Sequence, residues 1–279
     1  MRTDAYQKIT DQIVTALEQG VRPWHQPWQV EHSAGRITRR PLRGNGMPYQ
    51  GINVLMLWSA AIEKGYTAPI WMTFKQAQEL KAHVRKGEQG SLVVYADKII
   101  RTETNGETGE EAERAIPFMK GYTVFNIEQI EGLPEHYYGK PPARTESVQR
   151  IESAEAFFAA TGANVVHGGS RACYDISTGN IHMPCIDLFR DAGSYYATLA
   201  HKCTHWTRHE SRLARDLGRK RFGDEGYAME ELVAELGAGF LSADLELTPE
   251  VREDHASYIA SWIKVLKNDK RAVFTAASH

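Results

Sequence analysis

The sequence predicts an α+β protein of two domains. Helical and strand-like segments occur in both halves of the chain, so neither half is expected to be all-α or all-β. Between the halves, residues 133–146 are rich in Pro and Gly and lack hydrophobic periodicity, which is typical of an interdomain linker. The chain has 279 residues, enough for one large or two medium domains. We therefore expect one domain over residues 1–132 and a second over residues 147–279.

Composition is that of an ordinary soluble globular protein, with 42% hydrophobic and 24% charged residues. No apolar run approaches the ~20 residues that a membrane-spanning helix needs. Residues 1–4 contain no apolar signal region, so export is not expected. The odd count of cysteines (Cys173, Cys185 and Cys203) is explained better by reduced thiols than by disulfides. These features predict a cytoplasmic protein with no membrane partner.

In the first half, periodicity and end signals predict three helices and two strands. The helices cover residues 4–20, 53–64 and 74–83, and the strands cover residues 91–100 and 121–127. Thr73 is the expected N-cap of the third helix, because its hydroxyl can accept a hydrogen bond from the first turn. The Gly- and Glu-rich residues 102–113 are expected to form a solvated hairpin loop between the strands.

Residues 20–90 carry a positive charge that the rest of the chain does not. Ten Lys and Arg stand there against four Asp and Glu, a net +6 in a chain whose overall net charge is −2. Aromatic residues are interleaved with these cations. A single strand of nucleic acid requires this combination, because cations neutralise phosphates with counterion release and rings stack on unpaired bases at ~1–3 kcal/mol each. Composition alone leaves the alternative open that the aromatic residues form a core and the arginines a solvated face.

In the second half, three helices and three short strands are expected. The helices cover residues 148–161, 195–209 and 226–238, and the strands cover residues 164–167, 172–176 and 180–183. The last of these helices has Ala and Gly on one side, which suits close packing against another helix.

His201 and His205 form the clearest chemical motif. Residues four apart share one face of a helix, so both imidazoles can converge on one divalent ion. This spacing is the ligand half of the HExxH metallopeptidase signature, in which the Glu after the first His is the general base. Lys202 occupies that position here. The sequence therefore predicts a metal site without the usual base.

Two side chains hold a metal weakly, so a third ligand is expected downstream. Glu231 and Glu235 are again four residues apart on a predicted helix. In gluzincins the second helix carries a ligand Glu and, four residues on, an acid that orients a histidine. By that analogy Glu231 is the expected ligand, and Glu235 is the expected outer carboxylate on His201 or His205. Glu235 as the ligand is the alternative.

Four further candidates are given structural or surface roles. Glu230 is expected at the surface. His209 continues the face of the two histidines, but a further helical turn places it ~6 Å along the axis, so we expect it to cap the helix or to be structural. His167 and His182 stand alone on predicted strands and are expected to be structural.

Lys202 is expected to weaken or abolish hydrolysis. In a zinc peptidase the metal activates a water and polarises the scissile carbonyl, and the Glu takes the proton of that water. Such general acid–base help is worth typically 10²–10⁴-fold. A charged lysine cannot accept a proton and repels the cation. Its long stem is expected to swing out to solvent, the alternative being a neutral amine with a lowered pKa.

Several ordered segments resemble the antirestriction ArdC family. In the first half they are ITDQIVTALEQGVRPWHQPW, MPYQGINVLMLW, WMTFKQAQELKAHVRKGEQGSLVVY and YTVFNIEQIEGL, which resemble its N-terminal single-stranded-DNA-binding domain over about residues 4–132. In the second half YYATLAHKCTHWTRHESRL and FGDEGYAMEELVAELGAGFL resemble its zincin-like metallopeptidase domain. Lys202 departs from the family pattern.

The resemblance implies an α+β single-stranded-DNA-binding domain followed by a zincin-like domain that holds zinc or another divalent metal such as manganese. The residues that it implies to lie on or near a DNA groove are Trp24, Trp28, Tyr49, Trp71, Lys75, Arg85 and Lys86. Arg39, Arg40 and Arg43, in the polar and basic residues 31–48, are further candidates. For Trp28 and Trp71, a position in the hydrophobic core is an equal alternative to a contact with DNA.

By the same resemblance the role is antirestriction, the protection of plasmid DNA that enters a recipient as a single strand during conjugation. One hypothesis is protection by occupancy, with the metal site as a scaffold, and Lys202 favours it. The alternative is a DNA-dependent metalloprotease that cleaves a host or DNA-bound protein. A nuclease or primase-associated module is a third option, which is disfavoured because the first half contains no acidic cluster.

Overall fold

The computed structural model describes residues 5–20, 24, 40–104, 111–138, 147–189, 191–218, 224–247 and 256–279. Within these ranges, the predicted mixture of helices and strands is confirmed in both halves of the chain. No helix in these ranges is both long enough and apolar enough to cross a membrane.

A four-stranded sheet organises the first half. Its strands are β1 (Leu42–Arg43), β2 (Ile70–Met72), β4 (Ser91–Thr104) and β5 (Glu111–Asn126), in the spatial order β1-β2-β5-β4. β1 is parallel to β2, and the other neighbours are antiparallel. The β4–β5 hairpin stays paired as far as Thr104 and Glu111. The expected loop over residues 102–113 is therefore wrong at both ends, because strand pairing continues through residues that composition marked as solvated.

Three helices and a small second sheet complete the first half. They are α1 (Ala5–Glu18), α2 (Ile52–Lys64), α3 (Phe74–Glu79), β3 (His83–Val84) and β6 (Ile130–Glu131), the last two forming an antiparallel pair. The predicted cap of α3 is confirmed, since the Thr73 hydroxyl accepts a hydrogen bond from the Gln76 N–H and the Gln76 side chain accepts one from the Thr73 N–H. The helix ends earlier than expected because the chain turns at Lys81, where φ is 60°, and enters β3.

The second half consists of a three-stranded sheet and five helices within the described residues. They are α4 (Ser147–Ala160), β7 (Val165–His167), β8 (Cys173–Asp175), β9 (Asn180–Met183), α5 (Ala192–Trp206), α6 (Glu225–Asp244), α7 (Ala256–Asn268) and α8 (Ala272–Ser278). β9 lies between β7, to which it is parallel, and β8, to which it is antiparallel. The elements predicted up to α6 are confirmed, although α6 is longer than expected and α5 ends at Trp206 instead of reaching His209. α7 and α8 were not predicted.

Helix α6 lies where the two halves of the chain meet. The largest hydrophobic core joins α1, α2 and the β4–β5 strands to α6, α7 and α8. Trp24 packs edge-on against Trp262 of α7, with ring centroids 5.8 Å apart, and Trp58 of α2 packs against Phe240 of α6 at 6.0 Å. A second core lies among α4, the small sheet and α5. One side of α6 thus packs on the first half while another faces α5.

The packing of α5 against α6 is unusually close at Gly237. A Cβ atom at this glycine would lie only 2.6 Å from Cγ2 of Thr204 on α5. Only glycine permits this approach, which confirms the expectation that the small residues of α6 serve close helix packing. The approach brings side chains from the facing surfaces of both helices within contact distance.

Candidate metal centre

Two buried histidines on α5 face a glutamate on α6. The Asp191 side chain caps α5 by accepting a hydrogen bond from the Ser194 N–H, and the helix continues without interruption past both histidines. His201 and His205 are 4% and 9% exposed, because their helical face is covered by α6. Glu231, in the first half of α6, points its carboxylate at both rings.

The distances between these side chains fit a shared cation. The two Nε2 atoms are 3.1 Å apart, and the Glu231 oxygens lie 3.5 Å from Nε2 of His201 and 3.6 Å from Nε2 of His205. An ion about 2.0–2.2 Å from each ligand atom holds pairs of ligands roughly 3–3.5 Å apart. Two imidazole nitrogens and one carboxylate are also the donor set of catalytic zinc sites of the gluzincin type. Within the described residues, these three form the cluster whose ligand atoms, all within 4.8 Å of one another, could hold a metal.

Each histidine has its own carboxylate on the side away from Glu231. Glu235 Oε1 lies 3.1 Å from Nδ1 of His201, and Glu230 Oε1 lies 3.2 Å from Nδ1 of His205. A carboxylate at this position accepts a hydrogen bond from Nδ1–H, which leaves the Nε2 lone pair directed into the site. Glu235 therefore lies where an outer carboxylate would contact His201 Nδ1, and not at the position that a metal ligand would share with Glu231.

Glu230 is buried, so the expectation that it lies at the surface is wrong. Its side chain is 2% exposed and forms a double ion pair with Arg215, with Nε–Oε2 at 2.9 Å and Nη2–Oε1 at 2.8 Å. Arg215 was not identified as a candidate from the sequence. The signal that could have revealed Glu230 is the composition of α6, which has apolar or small residues on nearly every side and so offers an acid little contact with water.

The electrostatics of the centre keep its carboxylates ionised. Burial alone would raise the pKa of Glu231, but contacts with His201 and His205 together hold that pKa well below its ordinary value. Burial likewise opposes ionisation of Glu230, and hydrogen bonds from His205 and Arg215 outweigh it, so its pKa is also lowered. Glu231 is therefore expected to offer its carboxylate in the ionised form, which is the form that binds a metal.

Three other residues singled out in the sequence are not part of this cluster. Lys202 follows His201 on α5 and is half-buried, so its side chain is only partly in solvent. His209 lies beyond the end of α5, where its Nδ1 accepts a hydrogen bond from the Ser211 N–H. The His167 ring lies 2.7 Å from the Tyr195 hydroxyl, consistent with a structural role.

The predicted DNA-contacting residues divide into buried and exposed groups. Trp24, Tyr49 and Trp71 are at most 2% exposed, so in this structure they are core residues and offer no ring face to a base. Trp28 and Arg39 lie outside the described residues. The exposed predicted residues are Arg43, Lys75, Arg85 and Lys86, and Arg40 is half-buried. Phe74 is one of the aromatic residues that the sequence interleaves with the basic residues, although the family resemblance did not place it in the DNA groove. It is 49% exposed and packs edge-on against Phe125, with ring centroids 6.4 Å apart.

Trp24 and Arg40 both contact the second half of α6. The Trp24 carbonyl lies 3.2 Å from where a Cβ of Gly239 would be, and Arg40 pairs with Asp244 at 2.7 Å. The Arg40 guanidinium also lies over the ring of Phe240, 5.4 Å from its centroid. The same helix thus carries Glu231 in its first half and contacts Trp24 and Arg40 in its second half.

Two family descriptions match the chain. The N-terminal domain of anti-restriction factor ArdC matches residues 3–125, and a zincin-like metallopeptidase domain matches residues 152–279. Among solved structures, the chain is similar to the antirestriction ArdC protein of plasmid R388. The metal-free crystal structure is 46% identical with a TM-score of 0.80, and the Mn(II)-bound one is 45% identical with a TM-score of 0.77. Both similarities cover 99% of this chain and 93% of the other.

Similar sequences occur in two further proteins. The uncharacterized protein y4eC of Sinorhizobium fredii (strain NBRC 101917 / NGR234) is 45% identical over 282 residues, covering 99% of this chain and 89% of that protein. The DNA primase TraC of Escherichia coli is 37% identical over 290 residues, which are 98% of this chain but 26% of TraC. The chain thus spans about a quarter of that longer relative.

Proposed function

Because the chain belongs to the antirestriction ArdC family, we propose that it is an antirestriction protein that binds single-stranded DNA and holds a divalent metal in its zincin-like domain. The proposed setting is the cytoplasm of a cell receiving plasmid DNA by conjugation, where the protein protects the incoming strand by occupying it. The observation that carries the metal half of the proposal is the convergence of His201, His205 and Glu231 in a buried site.

His201, His205 and Glu231 are the residues that would hold the metal, zinc or another divalent ion such as manganese. When bound, such an ion would supply Lewis acidity, polarising a carbonyl and lowering the pKa of a bound water. The chain's own contribution is orientation, because Glu235 and Glu230 fix the two rings. The donor set supports a divalent cation without distinguishing zinc from manganese.

Lys202 makes efficient peptide hydrolysis unfavourable in this chain. It stands where a zinc peptidase has the Glu that accepts the water proton, and a lysine ammonium has no lone pair for that proton. Loss of this help is worth typically 10²–10⁴-fold in rate. We therefore expect slow cleavage of casein, or slow self-cleavage, with or without single-stranded DNA. Lys202→Glu should raise that rate at least tenfold. Equal rates in the two proteins would refute the claim that Lys202 limits hydrolysis.

On the DNA side, exposed cations and one exposed ring support the proposal. Lys75, Arg85 and Lys86 reach solvent, although Arg85 also pairs with Glu88 at 2.7 Å. Phe74, next to Lys75 at the start of α3, has enough free ring surface for a base to stack on it. Because Trp24, Tyr49 and Trp71 are buried, we assign base stacking to exposed aromatic residues such as Phe74.

A salt titration of oligonucleotide binding tests the DNA half. Fluorescence anisotropy at several salt concentrations should show preference for single strands over duplex and an affinity that falls steeply with salt. Lys86→Ala should reduce the slope of log affinity against log salt by roughly 0.7, the value for one lost phosphate contact on a single strand. Lys264→Ala is the matched control, because Lys264 is also an exposed lysine and lies on α7, at the far end of the sequence. Affinity that does not depend on salt would refute this half.

An active, DNA-dependent metalloprotease that cleaves a host or DNA-bound protein is the second candidate function. One observation favours it: both histidines keep a dedicated outer carboxylate, the arrangement that raises ligand basicity in working metal sites. The Lys202→Glu comparison separates the two candidates. Cleavage by the unaltered chain that is stimulated by single-stranded DNA and abolished by His201→Ala would establish the protease.

A further inference from the structure

A buried ion pair lies behind His205, on the side away from Glu231. Arg215 and Glu230 have side chains 1% and 2% exposed, and two hydrogen bonds of 2.8 and 2.9 Å join them. A buried pair of this kind is weak evidence for stability, because the cost of removing both charges from water offsets their attraction. Its other contacts therefore indicate what it does.

The other hydrogen bonds of the pair lead to His205 and to the end of its helix. Glu230 Oε1 accepts hydrogen bonds from Arg215 Nη2 and faces Nδ1 of His205 at 3.2 Å, so one oxygen serves both partners. Arg215 also donates from Nη2 to the Thr204 carbonyl and from Nη1 to the Thr207 hydroxyl, each at 3.0 Å. A single guanidinium thus fixes the carboxylate behind His205 and the last turn of α5, which carries His205.

The chain places Arg215 there by folding back over the end of α5. After the helix, the N–H of Arg215 donates to the carbonyl of Arg208, and Ala214 adopts a positive φ of 44°. Ala is strained in that region, and the hydrogen-bonded turn around it holds it there. The arrangement brings together residues 15 positions apart that share no helix.

We propose that Arg215 and Glu230 are positioning residues for the metal ligand His205. They hold its ring in the Nδ1–H tautomer and aim the Nε2 lone pair at the position shared with His201 and Glu231. The inference rests on the proposed function for the presence of a metal. Glu235 faces His201 in the same way, with its Oε1 3.1 Å from Nδ1.

Metal affinity is the first readout. Metal-stripped full-length protein is titrated with Mn(II) and with Zn(II), comparing the parent with Glu230→Gln and Arg215→Lys. Outer partners of metal-bound histidines are worth typically 10–100-fold in affinity, so Glu230→Gln should weaken binding by that factor. Arg215→Lys keeps the charge but not the two-pronged geometry, so a smaller loss is expected.

Two matched controls come from the same elements. Arg212 lies in the same turn and donates to the Trp206 carbonyl at 2.6 Å, and Glu225 is an exposed carboxylate on α6. Arg212→Ala and Glu225→Gln should bind metal within about twofold of the parent. If they lose affinity as Glu230→Gln does, the effect is general loosening of the fold and the proposal is overturned.

The tautomer of His205 is the second readout, and a merely structural role would not move it. Long-range ¹H–¹⁵N correlation spectra of the metal-free parent should report Nδ1–H at His205, with other tautomers gaining population in Glu230→Gln. A dominant Nε2–H form in the parent would overturn the proposal, even if both variants failed to fold. Absence of metal binding by the parent would refute the proposed function. Parent binding that Glu230→Gln leaves within twofold would refute this inference alone.

Discussion

Replacing Gly237 with Ala tests whether the close approach of α5 and α6 shapes the metal centre. The new Cβ would lie 2.6 Å from Thr204 Cγ2, 2.7 Å from its Oγ1 and 3.2 Å from its Cβ. Rotation of this β-branched side chain exchanges one crowded atom for another and leaves its Cβ where it is. The two helices must therefore move apart by several tenths of an ångström.

Two opposing effects set the size of the change. Overpacking of a buried contact costs ~1–3 kcal/mol, whereas Ala in place of Gly inside a helix gains ~0.5–1 kcal/mol. We expect a net loss of roughly 1–2 kcal/mol in the free energy of unfolding, measured by urea titration of metal-stripped protein. Glu231 lies on the displaced helix and the histidines flank Thr204, so affinity for Mn(II) should fall as well.

Thr204→Ala provides the control, because it removes both crowded atoms. Its hydroxyl donates within its own helix, to the Ala200 carbonyl at 2.9 Å, so the single variant should lose little stability. In the double variant, Gly237→Ala should cost at least about 1 kcal/mol less than it does alone. A Gly237→Ala protein as stable as the parent would refute the reasoning, since helix propensity would then outweigh the contact.

Four further predictions concern Phe74, Trp71, the cysteines and Glu231. Phe74→Ala should weaken binding of a single-stranded oligonucleotide in anisotropy titrations while changing unfolding free energy by less than about 0.5 kcal/mol. Unchanged DNA binding by the Phe74→Ala variant would show that Phe74 is not part of the interface. Trp71→Ala should lower the free energy of unfolding by ~3–5 kcal/mol, because Trp71 is fully buried. Cys185 is exposed and should react with a thiol reagent at least tenfold faster than Cys203, which is buried and whose pKa burial raises to about 12; comparable rates would contradict the packing. The fold lowers the pKa of Glu231 below its ordinary value of 4.5, so below pH 4.5 this carboxylate takes up a proton when the protein unfolds. The free energy of unfolding should therefore fall by up to ~1.4 kcal/mol for each pH unit below 4.5. Glu231→Gln should flatten this pH profile in urea titrations, and an unchanged slope would exclude Glu231 as its source.

Local patterns in the sequence were enough to identify the residues that the structure brings together as a candidate metal centre. A helix fixes which residues share a face, so the spacing of His201 and His205, and of Glu231 and Glu235, carries three-dimensional information. The Ala and Gly residues of α6 likewise indicated close packing, and Gly237 provides it against Thr204. These features depend on residues within one or two helical turns of one another.

Features that depend on tertiary contacts could not be predicted in this way. Arg215 meets Glu230 only because the turn after α5 carries the chain back over that helix, and no local pattern announces such a turn. Aromatic residues suit a core as well as a base stack, so composition could not assign Trp24 or Trp71. The burial of Trp24 depends on Trp262, in a helix that was not predicted although its apolar residues recur at helical spacing.

The most direct test of the central claim is a calorimetric titration of the metal-stripped protein with Mn(II) or Zn(II). We expect one ion to bind per chain. We expect His201→Ala and Glu231→Ala each to abolish this binding while both variants stay folded. Metal binding that survives both substitutions, or no binding by the parent, would contradict it.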